Sequence, residues 1–382
     1  MDDQTLRSPS RLERLAARGV SRRDFLGICT IAMAAVGLPA SALAAVEKAA
    51  AGPARPSVVW LHFQECTGCT ESLLRASHPA LAEILLDLIS LDYHETLFAA
   101  AGKQAEDALD AAVRDKDGKF VLVVEGAVPI KDGGVYCKVG GKTALEILGR
   151  VAPHAAAVVA IGSCASFGGV AAAEPNPTGA TGVPMILRNR PVVTLPGCPA
   201  NPYNLLGVLL QFATFGTLPA LDELGRPLFA YARTIHEDCP RRAHFDAGRF
   251  AEKIGDEGHR HGYCLYKLGC KGPQTHANCS LLHFCDVVGA WPIGVGHPCV
   301  GCTEPEIAFR VPMHQTATIA RPTPPDTYPP VHAEHAGGIS PGAAATAGAV
   351  GGALITAAAL TARRIARDDG PPEDRAAKGH AS

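Results

Sequence analysis

The sequence predicts an α/β protein: a parallel sheet covered on both faces by helices, followed by a loop-rich segment with seven of its thirteen cysteines. Two observations predict it. Between Ser57 and Gly197, four short apolar runs alternate with stretches of helical period. Beyond about Arg226 the long apolar runs stop and the cysteines crowd together.

The elements follow in chain order. After a Pro-containing linker, Gly52 to Pro56, the run Ser57–Phe63 (SVVWLHF) is apolar and of strand length. Cys66 and Cys69 follow directly, and a helix-like segment starts at Thr70. Phe120–Gly126 (FVLVVEG) is a second buried strand, running into Glu125. Ala155–Gly162 (AAAVVAIG) is a third, running into Ser163 and Cys164. Pro191–Gly197 (PVVTLPG) is a fourth, running into Cys198. Between them, AEDALDAAV and TALEILGRV have helical period, so strand and helix alternate as a parallel sheet requires.

Length and composition bound the function. A chain of 382 residues, 47% hydrophobic, supports one or two domains with a proper core. A net charge of −2 gives no electrostatic reason to expect a nucleic-acid partner. With 40 Gly and 30 Pro, much of the chain is loop. A chain this large needs no disulfide staples, so thirteen cysteines point to metal.

Both ends concern location. Arg22 and Arg23 precede an apolar run from Phe25 to about Leu38, and Ala42-Leu43-Ala44 offers a cleavage site. Residues 1–44 therefore read as a twin-arginine signal, which exports folded, cofactor-loaded proteins. Cys29 lies inside it and plays no part in the mature chemistry. Ile339 to Ala362 carries no charge for 24 residues. As a helix that run is roughly 36 Å long against a hydrocarbon core of about 30 Å. Arg363, Arg364 and Arg367 follow, so residues 339–362 read as a membrane anchor and 363–382 as a cytoplasmic tail. A disordered Ala/Gly tail is the alternative.

Three strand ends deliver four cysteines: Cys66 with Cys69, then Cys164, then Cys198. In an open parallel sheet those ends converge on one edge, where ligands bind. Gly68, Gly162 and Gly197 stand beside them, leaving room for backbone N–H groups to approach. A redox dithiol leaves Cys164 and Cys198 unexplained. Structural zinc sites come from local knuckles rather than ligands spread over so much chain. A 4Fe–4S cluster fits better. In the loop-rich segment His236, Cys239, Cys264, Cys270, Cys279, Cys285, Cys299 and Cys302 are candidate ligands for two more sites. Their division does not follow from spacing. The segment has too little core to fold unaided, so metal centres are expected to organise it.

The motifs ECTGCTES, GSCASFGG, LPGCPANP, IHEDCPRR, GYCLYKLGCKGPQT and GHPCVGC, in this order, closely resemble the small subunit of membrane-bound nickel–iron hydrogenases. The resemblance covers about Pro56 to Arg321. It implies a flavodoxin-like domain over 56–225 and a cluster-binding domain over 226–322. It implies a proximal 4Fe–4S cluster on Cys66, Cys69, Cys164 and Cys198. The distal 4Fe–4S cluster falls to His236, Cys239, Cys264 and Cys270, and the medial 3Fe–4S cluster to Cys279, Cys299 and Cys302. Pro292 matches the position where a fourth medial ligand is absent.

The implied role is to conduct electrons from hydrogen oxidation at the nickel–iron site of a large-subunit partner to a membrane cytochrome b and quinone. That places the heterodimer on the periplasmic side of the inner membrane. This chain holds no nickel-ligand set of its own. Replacing a thiolate by neutral His236 removes a negative charge and raises the potential of that site. Oxygen-tolerant relatives carry two extra cysteines near the proximal cluster, at positions that here are Gly68 and Gly169. An ordinary, oxygen-sensitive proximal cluster is the expectation, and hydrogen oxidation sustained in air by the purified complex would refute it.

Other residues receive plainer expectations. Cys137 is read as a small buried side chain. Cys285 is read as structural, with a fourth medial ligand as the lesser alternative. His332 and His335, just before the anchor, are read as solvated linker residues, with a cytochrome contact as the alternative. Glu65 and Glu125 stand near the proximal cysteines, suited to proton movement, to contact with a partner or to hydrogen bonds with a loop. Two competing readings remain open. One is the iron–sulfur subunit of another respiratory oxidoreductase; the other is a zinc- or disulfide-stabilised exported binding protein.

Overall fold

The computed structural model describes residues 55–77, 89–285 and 287–319. The expected export signal with Cys29, His332, His335, the anchor over 339–362 and the tail lie outside the described residues. Among the described residues no helix is long and apolar enough to cross a membrane.

The sheet has five strands, all parallel: β1 (Ser57–His62), β2 (Ser90–His94), β3 (Phe120–Glu125), β4 (Ala157–Ile161) and β5 (Val193–Leu195). Their order is β2-β1-β3-β4-β5, the doubly wound order of flavodoxin-like folds, which reverses direction between β1 and β3. Four of the strands are those read from sequence, and β2 is an addition. It is an edge strand whose Ser90, Leu91 and Asp92 are only half buried, so it lacks the unbroken apolar run of a central strand.

Side-chain alternation gives the sheet two cores. Val58, Trp60, Val121, Val123, Val159 and Val193 face one side, packed by the helices α1 (Gly68–Leu74) and α5 (Pro202–Phe215). Val59, Leu61, Leu122, Val124, Val158 and Ala160 face the other. That side is covered by α2 (Lys103–Asp115) and α3 (Ala144–Val151), the two helices read from period. Helix α3 starts on a capping box, with Thr143 and Glu146 satisfying each other's free backbone N–H groups. Helix α5 starts on the Asn201 side chain with Pro202 in its first turn and ends at Gly216 in the left-handed region.

Beyond Arg226 the elements shorten to single turns, such as Leu228–Tyr231, Arg242–Asp246 and Cys279–Leu282. Tyr231, Ile235, Leu265, Leu268, Trp291 and Ile293 from this stretch pack into the same core as the first sheet face. The loop-rich segment therefore borrows a face already built by the sheet instead of forming a separate interior.

Candidate functional site

Strand register builds the first site. His62, Glu125, Ile161 and Leu195 stand in one cross-strand row at the C-terminal edge of the sheet. Three strands then release their cysteines within one turn of that row. Cys66, Cys69, Cys164 and Cys198 line one cavity, together with Glu65, Glu125 and the glycines 68, 126, 162 and 197. The expected convergence is observed, and it lies where the strand order reverses. Cys69 and Cys164 sit in the first turns of α1 and α4 (Gly162–Phe167).

Glu125 is only 2% exposed and accepts four hydrogen bonds. The Cys69 and Thr70 N–H groups donate at 3.0 and 3.1 Å, the Thr70 hydroxyl at 2.7 Å and Trp60 Nε1 at 3.2 Å. Of the roles open to it, holding the cysteine loop is the one the contacts describe. Glu65 accepts from the Thr67 hydroxyl at 3.3 Å and faces His62 Nδ1 at 3.3 Å. Burial raises its pKa, with the Thr67 bond opposing.

The second site gathers His236, Cys239, Cys264 and Cys270 around one cavity. His236 is 7% exposed, its ring edge-on to Phe245 at 4.5 Å between centroids. Its Nε2 is buried with no hydrogen-bond partner. Burial first, then the Arg242 charge, pulls its pKa down to about 4 against the opposing Asp246, so the imidazole is neutral and has a lone pair to give.

In the third, Cys279 and Cys302 line a cavity with Tyr231, Trp291 and Pro292. Cys299 is buried close by, within electrostatic reach of Cys302, but is not part of that wall. Cys285 points elsewhere: its thiol donates to the Ser72 carbonyl at 3.5 Å in α1. That contact fits the structural reading of Cys285. Cys137 is half-buried rather than buried, packed against the second core.

Burial pushes the site thiols up: Cys164, Cys198 and Cys279 to about 11, Cys239, Cys264 and Cys302 to about 12. Cys69, Cys270 and Cys299 are raised as well, and Cys69 also feels Glu125. Neighbouring sulfurs add like-charge repulsion in each set. Thiols crowded in this way release their protons together only to a bound cation, which is the chemistry of a metal–thiolate site.

Two hydrogen bonds link the cysteine loops in series. The Ser163 hydroxyl, beside Cys164, donates to the Cys302 carbonyl at 2.5 Å. The Lys271 N–H, beside Cys270, donates to the Cys299 carbonyl at 2.8 Å. Every one of the twelve described cysteines is free, so no disulfide framework is present among the described residues. Nor are the cysteines drawn tight enough for single ions. A zinc ion at about 2.3 Å from each sulfur holds its ligands about 4 Å apart. Among the described residues only His62, Glu65 and Glu125 bring three ligand atoms within 4.8 Å of one another.

Residues 66–212 match the family described as NADH ubiquinone oxidoreductase, 20 Kd subunit, which alone leaves the class of respiratory enzyme open. Residues 231–315 match the family of the C-terminal region of NiFe/NiFeSe hydrogenase small subunits. The chain is 48% identical to the hydrogenase-2 small chain of Escherichia coli K12, over 92% of this chain and 94% of that one. The chain belongs to the NiFe hydrogenase small-subunit family. It is also 48% identical to the quinone-reactive Ni/Fe-hydrogenase small chain of Wolinella succinogenes, over 76% of this chain and 82% of the relative. A reduced, active NiFeSe hydrogenase from Desulfomicrobium baculatum has a similar fold, with a TM-score of 0.65 and 35% identity. That match covers 69% of this chain and all of the other.

As a hydrogenase small subunit the chain partners a large subunit, which holds the catalytic metal site, and serves electron transfer. The family binds iron–sulfur clusters, and the residues present fit such groups. The donors are thiols and one neutral imidazole with an orphaned nitrogen. Glycines stand where a Cβ would press on a sulfur: 2.5 Å from Cys69 Sγ at Gly162, 3.1 Å from Cys66 Sγ at Gly68 and 3.3 Å from Cys270 Sγ at Gly272.

Sequence reading missed three contributors. Ser163 joins the Cys198 loop to the Cys302 loop, the Thr275 hydroxyl donates to the Lys271 carbonyl at 2.7 Å, and Lys271 is buried between two loops. Ser163 and Lys271 each adjoin a cysteine in the quoted motifs, so proximity to the ligands was the available signal.

Proposed function

We propose that this chain carries electrons from hydrogen oxidation at the large subunit through three iron–sulfur clusters to a membrane cytochrome b and quinone. The proximal 4Fe–4S cluster is assigned to Cys66, Cys69, Cys164 and Cys198, in a domain over 56–225. The medial 3Fe–4S cluster is assigned to Cys279, Cys299 and Cys302, and the distal 4Fe–4S cluster to His236, Cys239, Cys264 and Cys270, in a domain over 226–322. The observation that carries this reading is the serial linkage of the three cysteine loops by the Ser163 hydroxyl on the Cys302 carbonyl and the Lys271 N–H on the Cys299 carbonyl.

Clusters bound there supply one-electron transfer. The chain's own residues hold the thiolates in place, exclude water and donate N–H groups to sulfur, which raises potential. Neutral His236 in place of a thiolate does the same at the distal end. Export by the twin-arginine route and anchoring by residues 339–362 complete the reading, supported by the motifs at both termini. The quinone-reactive relative favours a quinone-linked acceptor. Oxygen sensitivity is supported at Gly68 and Gly169, where a cysteine Cβ would lie 3.1 Å from Cys66 Sγ and 2.7 Å from Cys164 Sγ.

The co-purified complex is expected to be brown, to contain nickel, and to hold iron and acid-labile sulfide for two four-iron clusters and one three-iron cluster. Oxidised, it shows the EPR signal of a 3Fe–4S centre. Iron without nickel would return the chain to another respiratory oxidoreductase; a colourless complex would overturn the reading altogether.

A further inference from the structure

Ser163 stands in the first turn of α4, directly after β4, and is 1% exposed. Its N–H donates to the Gly197 carbonyl at 3.0 Å, and its Oγ accepts the Gly197 N–H at 3.0 Å. This reciprocal pair locks the segment carrying Cys164 to the segment carrying Cys198. The hydroxyl has one hydrogen to give, and it goes to the Cys302 carbonyl at 2.5 Å, the short end of the O–H···O range. One buried side chain therefore ties two cysteines assigned to the proximal cluster to one assigned to the medial cluster. Other hydrogen bonds cross the same boundary farther from the sulfurs. Asn278 donates to Asn204 at 2.9 Å and Tyr231 to the Pro196 carbonyl at 2.8 Å, each with one end, Asn204 or Tyr231, that adjoins no cysteine. The Lys271 link to Cys299 is made by backbone and is beyond substitution, whereas the Ser163 link is a side chain.

We propose that the Ser163 hydroxyl is the bridge along which electrons pass from the proximal to the medial cluster, resting on the assignment of those clusters above. It ligates nothing; it is a positioning residue that acts through the Cys302 carbonyl. Electronic coupling falls off less steeply along covalent and hydrogen bonds than across a gap between packed atoms. The path runs from Cys164 through the peptide to Ser163, across Oγ–H to the Cys302 carbonyl, and on to the Cys302 side chain. One electron leaves the proximal cluster and one enters the medial cluster. The hydroxyl proton stays on Ser163 throughout, so charge moves and no atom does. The hydroxyl is neutral and bonds a carbonyl, not a sulfur. Its removal therefore alters the path while leaving each potential near its original value.

The test mixes the oxidised, purified heterodimer with hydrogen and follows loss of the 3Fe–4S EPR signal by rapid freeze-quench, wild type against Ser163→Ala. That loss reports electron arrival at the medial cluster. It is expected to slow about tenfold, the lower end of what outer partners of metal ligands command. Redox titration is expected to leave the proximal and medial potentials at their wild-type values. Ser166→Ala is the control: its buried hydroxyl, in the same helix α4, donates to the Ala160 carbonyl of β4 at 3.3 Å. It is expected to keep the wild-type rate. An unchanged rate in Ser163→Ala, an equal slowing in Ser166→Ala, or a slowing explained by a shifted medial potential would overturn the proposal. Should Ser163→Ala fail to load iron, Ser163→Thr and Ser163→Val, equal in shape, decide. Faster medial reduction in the Thr variant supports the proposal, and any other result overturns it. A wild type without the 3Fe–4S signal would instead remove the cluster assignment, and the proposal with it.

Discussion

Gly162→Val is expected to leave the heterodimer without its proximal centre and to reduce hydrogen-dependent dye reduction to background. Strand β4 is buried on both faces and ends at Ile161, so the chain must turn at once to bring Cys164 back over the sheet edge. Gly162 makes that turn at φ +82°, a left-handed conformation that costs a side-chain-bearing residue about 1–2 kcal/mol. The greater cost is steric. A Cβ at this position lies 2.5 Å from Cys69 Sγ, and the Ser163 N–H to Gly197 carbonyl bond at 3.0 Å prevents the turn from backing away. Two further methyl groups then displace Cys69 in α1, one of the four cysteines assigned to the proximal cluster, from a distance of more than ninety residues in sequence. Iron is expected to fall by one cluster's content while the medial and distal EPR signals persist. Gly149→Ala is the control: it lies within α3 with open space around it, and the change is neutral or slightly stabilising there. A full iron complement and a normal proximal signal in Gly162→Val would show that the glycine is dispensable.

How much of this was legible in the sequence depended on whether a signal was local. Strands β1, β3, β4 and β5 were readable because both faces are buried, which writes each one as a continuous apolar run. Strand β2 was not, since one neighbour and one exposed flank leave Ser90 and Asp92 in it. The gathering of Cys66, Cys69, Cys164 and Cys198 was also readable, because parallel strands share one C-terminal edge whatever their order. The loop-rich half hid more. Its apolar residues are isolated in sequence, and their pattern has meaning only against a sheet face that another part of the chain supplies. Trp291 and Ile293 look like loop residues until the core containing Val58 and Val159 is laid beneath them. The contacts that join one ligand set to the next were hidden for the same reason. Ser163 to Cys302 and Lys271 to Cys299 are pairings between distant loops, with no period or spacing to mark them.

Glu125→Ala is expected to cost about 4 kcal/mol and to lower the thermal midpoint by roughly 10 °C. The carboxylate ends β3 in the row of strand termini that builds the proximal site, and four donors converge on it from β1 and α1. Alanine strands the Cys69 and Thr70 N–H groups and Trp60 Nε1 in an interior without water, at about 1–3 kcal/mol each and not fully additive. Only the Thr70 hydroxyl retains a neighbour, His94 Nε2 at 3.4 Å. Against a typical total of about 5–15 kcal/mol, this is a large share of the protein's stability. Glu125→Gln keeps one oxygen but turns an amide N–H₂ toward donors, so it is expected to lie between wild type and alanine. Because the Cys69 N–H is one of the orphaned groups, damage is expected first at the proximal loop. Heating followed by cluster absorbance and by proximal EPR should show that centre bleaching before the distal one. Simultaneous bleaching, or a midpoint within about 2 °C of wild type, would mean the four hydrogen bonds carry little of the loop's stability, and that the cluster itself holds Cys69 in place.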